Sequence, residues 1–528
     1  MAVWNIQVPT TEYYGPLPAN PRGVVARDLE PLIRELEDFR TEEIAIDSET
    51  TGLVVFKEQV LYWSLAWGNR RCTLHASVLP YFAKLFADPN KRWIFANAKF
   101  DGHMFANMGM YLRGKWWCTQ VMHSLLFEEQ SHRLKDMAKH LLGWRWSDFQ
   151  DTFGKITKNN PPIELIRKAE YENFPLLCEY ASNDAWGTLG VKNDLEVRLK
   201  QSLTHSLFRD MPPYIDKLWD LFTKIEAPYT KVLWKMERNG IRVNREYLHN
   251  VGPKVRYQIE QLERDICKHV GWMINLNSTD DKRRYFFDQR GYRPFKMTKG
   301  GKTGIRNAST DADSIEHFAD EYGDPVAKMM LEHSRLSKLE STYIIGIGEW
   351  LDAYDRIHTR YNQDTVRTGR LSSADPNLQN IVGGEKDTLK LRSAFVASPG
   401  RKLAVFDFNQ LEMRLLAAAA REKDMIDIFL RGWDIHMGNA SLMMNIPYDE
   451  IKAAKKIDGE VKDGKLPESA LTERVRFCLA ARAAAKNIGF GQLTSGRSKT
   501  LSKRGTLKAK AHGNPVLPNA MGSVSTWG

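Results

Sequence analysis

Between residues 40 and 115 the chain alternates short apolar, β-rich runs with short helical ones, and this alternation restricts the fold more than any other feature. EEIAID, QVLYWSLAW and RCTLHA have the length and aromatic or β-branched content of consecutive strands, and RWIFAN reads as another. From about Leu125 to Leu203 the apolar spacing turns helical. Strands followed by helices predict an α/β domain of about 200 residues. The remainder of the 528 residues leaves room for further cores, and 42% hydrophobic and 11% aromatic content supports packed interiors.

A second helical region runs from about Asp216 to Trp350. Extended polar segments follow near His358 to Ser393, LAVFDF reads as a buried strand, and helices return to about Phe490. From Gly491 to Gly528 the sequence holds six Lys/Arg and no acid, without an apolar period. The formal charge of +11 suits a polyanionic partner, and Asp281 to Thr310 concentrates nine Lys/Arg against two Asp. Five dispersed cysteines without a CxxC pair argue against a zinc ribbon or disulfide framework. No apolar run reaches membrane-spanning length and no secretion signal is seen, so a cytoplasmic location and no membrane partner are expected. Gly301-Lys302-Thr303 looks like the end of a P-loop, but Lys296 occupies the required upstream glycine position, which excludes an ATPase site.

Asp47 and Glu49 sit at the end of the predicted strand EEIAID, and i, i+2 spacing puts both carboxylates on one side of an extended chain. Hard divalent cations take oxygen ligands, so paired acids at a strand end suit a metal site. Asp101 follows RWIFAN in Asn97-Ala98-Lys99-Phe100-Asp101. Tyr180 and Asp184 fall at i, i+4 on one helix face. Together and in this order, these three segments resemble the motifs of DEDD-type 3′–5′ exonucleases of the tyrosine subclass. The resemblance implies an RNase H-like fold in which Asp47, Glu49, Asp101 and Asp184 hold two metal ions, Mg²⁺ or Mn²⁺ in its place. It also implies that Tyr180 orients the attacking water with Asn97 nearby. Cys118 stands where relatives often carry an acid before Thr119 and is not a ligand in this reading.

Downstream, TGRLSSADPNLQNI (368–381) and Asp407-Phe408-Asn409-Gln410-Leu411-Glu412-Met413-Arg414 resemble signature motifs of the family A DNA polymerases, bacteriophage type. The resemblance implies primer–template contacts from Arg370, Gln379 and Asn380, and a catalytic metal on Asp407. It places Gln410 and Glu412 at the incoming deoxynucleoside triphosphate, with Glu412 excluding the ribose 2′-hydroxyl. Asp434-Ile435-His436 matches a short family triad whose His approaches the triphosphate. As three residues alone, a capping Asp and a surface His is the alternative reading, and its place between the Asp407 motif and the Arg482 stripe favours the family one. Arg482, Lys486 and Phe490 recur at i, i+4 and i+8, one helical stripe that suits triphosphate oxygens and a base.

After Phe490 the match fades: Thr494 and Ser495 stand where relatives have Tyr and Gly. Glu473 is the last acidic residue, so the family's second palm aspartate has no counterpart after it. Half of a split polymerase, an interrupted or truncated reading, and a cut-down exonuclease are the open explanations, and the acid-free, unpatterned tail favours interruption or truncation. Primer extension by this chain alone is not expected.

The expected architecture is an α/β RNase H-like exonuclease domain (1–205), then an α+β right-hand polymerase domain (206–528). The latter divides into thumb (216–355), part of the palm (356–430), part of the fingers (431–500) and an unassigned tail (501–528). The expected function is DNA-directed DNA synthesis with 3′–5′ proofreading in phage genome replication. The expected partners are primer–template and single-stranded DNA, deoxynucleoside triphosphates, and a processivity factor or complementing polymerase fragment. A stand-alone exonuclease with a DNA-gripping remnant is the alternative, and a non-catalytic DNA-binding protein a third class.

Overall fold

A computed structural model describes residues 8–19, 21–204, 215–298, 308–381 and 390–495, with side chains through Lys486. The side chain of Phe490, the Gly301-Lys302-Thr303 segment and the tail 501–528 lie outside the described residues. The chain forms two compact units, Met1–Leu403 and Ala404–Gly528.

The first unit opens with a six-stranded mixed sheet. Its strands are β1 (Thr11–Tyr14), β2 (Glu43–Thr50), β3 (Val60–Trp67), β4 (Arg70–His75), β5 (Arg92–Phe95) and β6 (Lys115–Cys118). They lie in the order β1-β4-β3-β2-β5-β6. β2, β3 and β4 pair antiparallel, whereas β5 joins β2, and β6 joins β5, in parallel. Each of the four predicted strands is present. β1 and β6 carry short TEYY and KWWC runs and take their places by pairing at the sheet edges. β2 extends beyond EEIAID to Thr50, so Asp47 and Glu49 lie within the strand and not at its end, opposite Ser64 and Tyr62.

Helix α1 (Ala98–Asn107) follows β5, and α2 (Leu134–Leu142) ends at Gly143 in the left-handed conformation that closes a helix. The 28-residue helix α3 (Phe174–Gln201) is held to the sheet by hydroxyls: Ser64 Oγ donates to the Ala181 carbonyl at 2.8 Å and Thr73 Oγ1 to that of Cys178 at 2.6 Å. These bonds fix the turns that bear Tyr180 and Asp184. The core under α3 includes Ile44, Ile46, Trp63, Leu65, Phe95 and Phe105.

The same core extends past residue 205. Phe222, Ala227 and Trp234 belong to it, so helix α4 (Ala227–Asn239) packs directly on the first domain. Helices α5 (Arg245–Val270) and α6 (Pro325–Lys338) follow. Strand β7 (Ile241–Val243) is flanked by β8 (Arg356–Ile357) and by Phe395–Val396, giving a small sheet beside them. Part of the basic run is internally paired: Arg290 lies 3.4 Å from Asp324, Lys296 pairs with Asp313, and Arg284 sits 4.4 Å over the Trp272 ring.

In the second unit the strand expected at LAVFDF does not form. Residues 403–408 are non-regular, and Leu403, Val405, Phe406 and Phe408 are 54%, 91%, 92% and 77% exposed. The physical reason is pairing: an apolar run becomes a strand only where a neighbour takes its backbone groups, and among the described residues no strand pairs with it. The helices beyond it are as expected: α7 (Leu411–Ala420), α8 (Ile435–Met444), α9 (Tyr448–Lys462) and α10 (Glu473–Ser495). Met437, Ala440, Ile451, Cys478 and Ala481 share their core. Among the described residues no helix is long and apolar enough to cross a membrane.

Candidate active site

β2 and α3 bring three of the predicted acids together. Asp47, Glu49 and Asp184 each offer a carboxylate oxygen, and these oxygens lie within 4.8 Å of one another. Asp101 stands beside them on α1, 3% exposed, where Ser48 Oγ donates to its Oδ1 at 2.7 Å. Tyr180, one turn before Asp184, is 8% exposed. Its ring meets Phe153 and Phe149 edge-on with centroids 5.2 and 5.9 Å away. Asn97 is exposed just before α1, and its carbonyl accepts from Asp101 N at 3.4 Å. Cys118 is buried, and its thiol donates to the Ala96 carbonyl at 3.3 Å.

Crowding acids into a buried site raises the cost of ionising them. Burial, then the charge of Asp184, pushes Glu49 up to about 8. Burial pushes Asp101 up to about 7 against the Ser48 hydrogen bonds. Asp47 rises through burial and the charges of Asp101, Asp184 and Glu49, and Asp184 rises chiefly through burial. An oxygen-only donor set whose members repel one another is what a hard divalent cation relieves, so the residues fit such an ion.

Sequence reasoning missed Lys135 and Trp146. Lys135 Nζ donates to Tyr180 Oη at 2.9 Å and lies 3.7 Å from Asp184, while Trp146 Nε1 donates to Asp184 Oδ1. Gly187 makes room for that indole, because a Cβ there would stand 2.5 Å from Trp146 Cη2. A cavity of about 470 Å³ opens on this side, lined by Arg133, Lys135, Phe149, Ile156, Tyr180 and Asp184 among others.

The second unit gathers a separate set. Asp407, Gln410, Glu412 and His436 line a cavity of about 300 Å³. Its hub is Asp434, which caps α8 by accepting from Met437 N. Its Oδ2 also accepts from Gln410 Nε2 at 2.8 Å and lies 3.4 Å from Arg482 Nη2. The Asp434-Ile435-His436 triad therefore contains a capping Asp, but His436 is buried and not a surface residue. Burial holds the His436 imidazole below its ordinary value, with Arg482 and Lys486 adding to the effect. Lys486 is exposed on α10. Arg370, Gln379 and Asn380 are all exposed on the first unit, where Tyr343 Oη donates to the Asn380 carbonyl.

Two family models match this chain, one over each of two regions. A family model described as 3′–5′ exonuclease matches residues 26–200, and one described as DNA polymerase family A matches residues 245–458. DNA polymerase I of Chloroflexus aurantiacus is 29% identical over 411 residues, covering 76% of this chain and 40% of that protein. DNA polymerase I of Pseudomonas aeruginosa is 28% identical over 476 residues, covering 87% and 48%. The thermostable DNA polymerase I of Thermus aquaticus is 36% identical over 247 residues, covering 46% and 29%. The chain thus spans less than half the length of these relatives. The fold is similar to the POL domain of Pol1 from M. smegmatis, solved with DNA primer-template and dNTP. The TM-score is 0.61 at 21% identity, covering 92% of this chain and 78% of that one. The chain carries a segment of the family A DNA polymerases, residues 245–458, behind a 3′–5′ exonuclease domain at residues 26–200.

Proposed function

We propose that the first domain removes nucleotides from the 3′ end of single-stranded DNA, as proofreading during phage DNA replication. The observation that carries the reading is the convergence of Asp47, Glu49 and Asp184 beside Asp101 and Tyr180, next to an open cavity. Asp47, Glu49, Asp101 and Asp184 would hold a divalent metal, Mg²⁺ or Mn²⁺, which when bound would supply positive charge at the phosphodiester and ease deprotonation of water. The chain's own part is positioning. The Tyr180 hydroxyl accepts from Lys135 and hydrogen-bonds to the Asp184 carboxylate, which holds its oxygen beside the acids where the attacking water would sit. Phe149 and Ile156 offer apolar surface to the last base, while Arg133 at the rim is paired with Asp148 at 3.3 Å.

The polymerase segment supplies DNA and nucleotide contacts in the same reading: Arg370, Gln379 and Asn380 to primer–template, and Gln410, Glu412, His436, Arg482, Lys486 and Phe490 to a deoxynucleoside triphosphate. Asp407 is its metal ligand. The division at residue 205 and the thumb, palm and fingers segments rest on the sequence motifs. The test is a 5′-labelled single strand incubated with the protein and Mg²⁺. Stepwise shortening that stops on chelation is expected. A labelled strand of unchanged length rules the reading out.

A further inference from the structure

We propose that Lys135 is a positioning residue of the 3′–5′ exonuclease reaction, holding Tyr180 and Asp184 in one arrangement and supplying positive charge beside the carboxylates. The inference rests on the exonuclease reading above. Lys135 lies in the first turn of α2, whose Met137 and Ala138 are buried in the domain core, so its stem starts from a fixed backbone. Its side chain is 16% exposed. An ammonium has three hydrogens and no acceptor. One goes to the Ser147 carbonyl at 2.7 Å and one to Tyr180 Oη at 2.9 Å. The third faces Asp148 and Asp184, each 3.7 Å away.

The same ammonium lies 4.4 Å from the Tyr180 ring centroid and 5.7 Å from that of Trp146, whose Nε1 donates to Asp184. Three elements therefore meet on one nitrogen: α2, the segment bearing Trp146 and Ser147, and the α3 turn bearing Tyr180 and Asp184. A tyrosine oxygen that accepts from Lys135 has its hydrogen directed elsewhere, which fixes the hydroxyl rotor as well as the ring. A single cation also opposes the repulsion that Asp47, Glu49 and Asp184 exert on one another. Such charge acts strongly because the site is buried.

A positioning role puts the effect in turnover more than in strand binding. With Lys135→Met, kcat on a single-stranded oligonucleotide is expected to fall about 100-fold, the scale of losing one preorganised donor. KM and half-saturating Mg²⁺ should each move less than about threefold, a split that reads positioning. Lys135→Arg, which keeps charge and donors, should recover most of the rate. Lys135→Met combined with Tyr180→Phe should be no slower than the slower single variant, because groups acting as a unit are not additive. A Lys135→Met kcat within about threefold of the unmodified protein, or losses that multiply in the double variant, would overturn the proposal. If Lys135→Met does not fold by circular dichroism, Lys135→Gln against Lys135→Arg decides: a faster Arg variant supports it and equal rates contradict it. Asp47→Ala with Glu49→Ala is run in parallel. No digestion by the unmodified protein defeats the exonuclease reading itself. Digestion that this control abolishes and Lys135→Met leaves intact defeats only the role given to Lys135.

Discussion

His103 Nε2 lies 2.8 Å from Glu237 Oε2, joining the helix that carries Asp101 to the first long helix after the exonuclease domain. Glu237 is 3% exposed and also pairs with Lys99 and accepts from Tyr361 N at 2.7 Å. Arg238 reaches back to Asn107 at 3.0 Å. The junction is thus a buried ionic cluster two residues on either side of Asp101, set against the Trp234 and Trp116 rings. Removing one partner strands the others. Glu237→Ala is expected to cost about 3–5 kcal/mol, read as a lowered denaturant midpoint. An unchanged midpoint would show that Lys99 and His103 find other partners.

The acid cluster predicts metal-linked stability. A ligand bound only by the folded state stabilises by about 2.7 kcal/mol at a hundred times its Kd. Thermal unfolding of the unmodified protein should therefore shift upward as Mg²⁺ is added. The Asp47→Ala, Glu49→Ala variant should show no such shift. In chelator it should be at least as stable as the unmodified protein, because two mutually repelling acids are gone. An equal Mg²⁺ shift in both would place the metal elsewhere.

The raised acids also set a pH dependence. Glu49 ionises near 4.5 when unfolded and at about 8 when folded, so between these values the folded state holds a proton the unfolded state has lost. Asp101 behaves alike between 3.8 and about 7. Their contribution is full below the unfolded values and is lost as pH rises through the folded ones. Metal-free protein should lose stability from about pH 4.5 to 8, while Mg²⁺ affinity rises over the same range as the proton is displaced. A melting series in chelator checks the first statement, and calorimetric Mg²⁺ titration the second. A metal-free midpoint that climbs across this window would contradict the electrostatics.

DNA binding by the region after residue 215 should depend steeply on salt and little on sequence. Each neutralised phosphate adds roughly 0.9 to the slope of log K against log salt on duplex DNA. Arg370→Ala should lower that slope by about 1 across unrelated sequences. Since Arg290 and Lys296 are already paired with Asp324 and Asp313, the basic run should contribute less than its charge count suggests. A slope near zero, or binding confined to one sequence, would count against the interface.

What the sequence revealed and concealed follows from the range of the forces involved. β2, β3, β4 and β5 were legible because aromatic and β-branched runs are a local signal, and β2, β3 and β4 also pair with neighbours close in sequence, whereas β5 joins β2 from 49 residues away. Tyr180 and Asp184 were legible because helical spacing alone puts them on one face. LAVFDF was misread because its residues have strand character, whereas a strand also needs a neighbour to bond with. Lys135 and Trp146 carry no local signal: LKDMAKHLL is an ordinary amphipathic helix, and the indole meets Asp184 across 38 residues. The Glu237 pairings carry no local signal, since its partners Lys99 and His103 lie well over a hundred residues earlier.

The central claim is that Asp47, Glu49, Asp101 and Asp184 form one hydrolytic centre. Its most direct test is single-turnover release of the 3′-terminal mononucleotide from single-stranded DNA in saturating Mg²⁺. The unmodified protein is compared with Asp47→Ala, Glu49→Ala at matched folding. The account predicts release by the first and a loss of about a thousandfold or more in the second, the scale of removing several kcal/mol of metal-assisted stabilisation. Equal release by both proteins would contradict it.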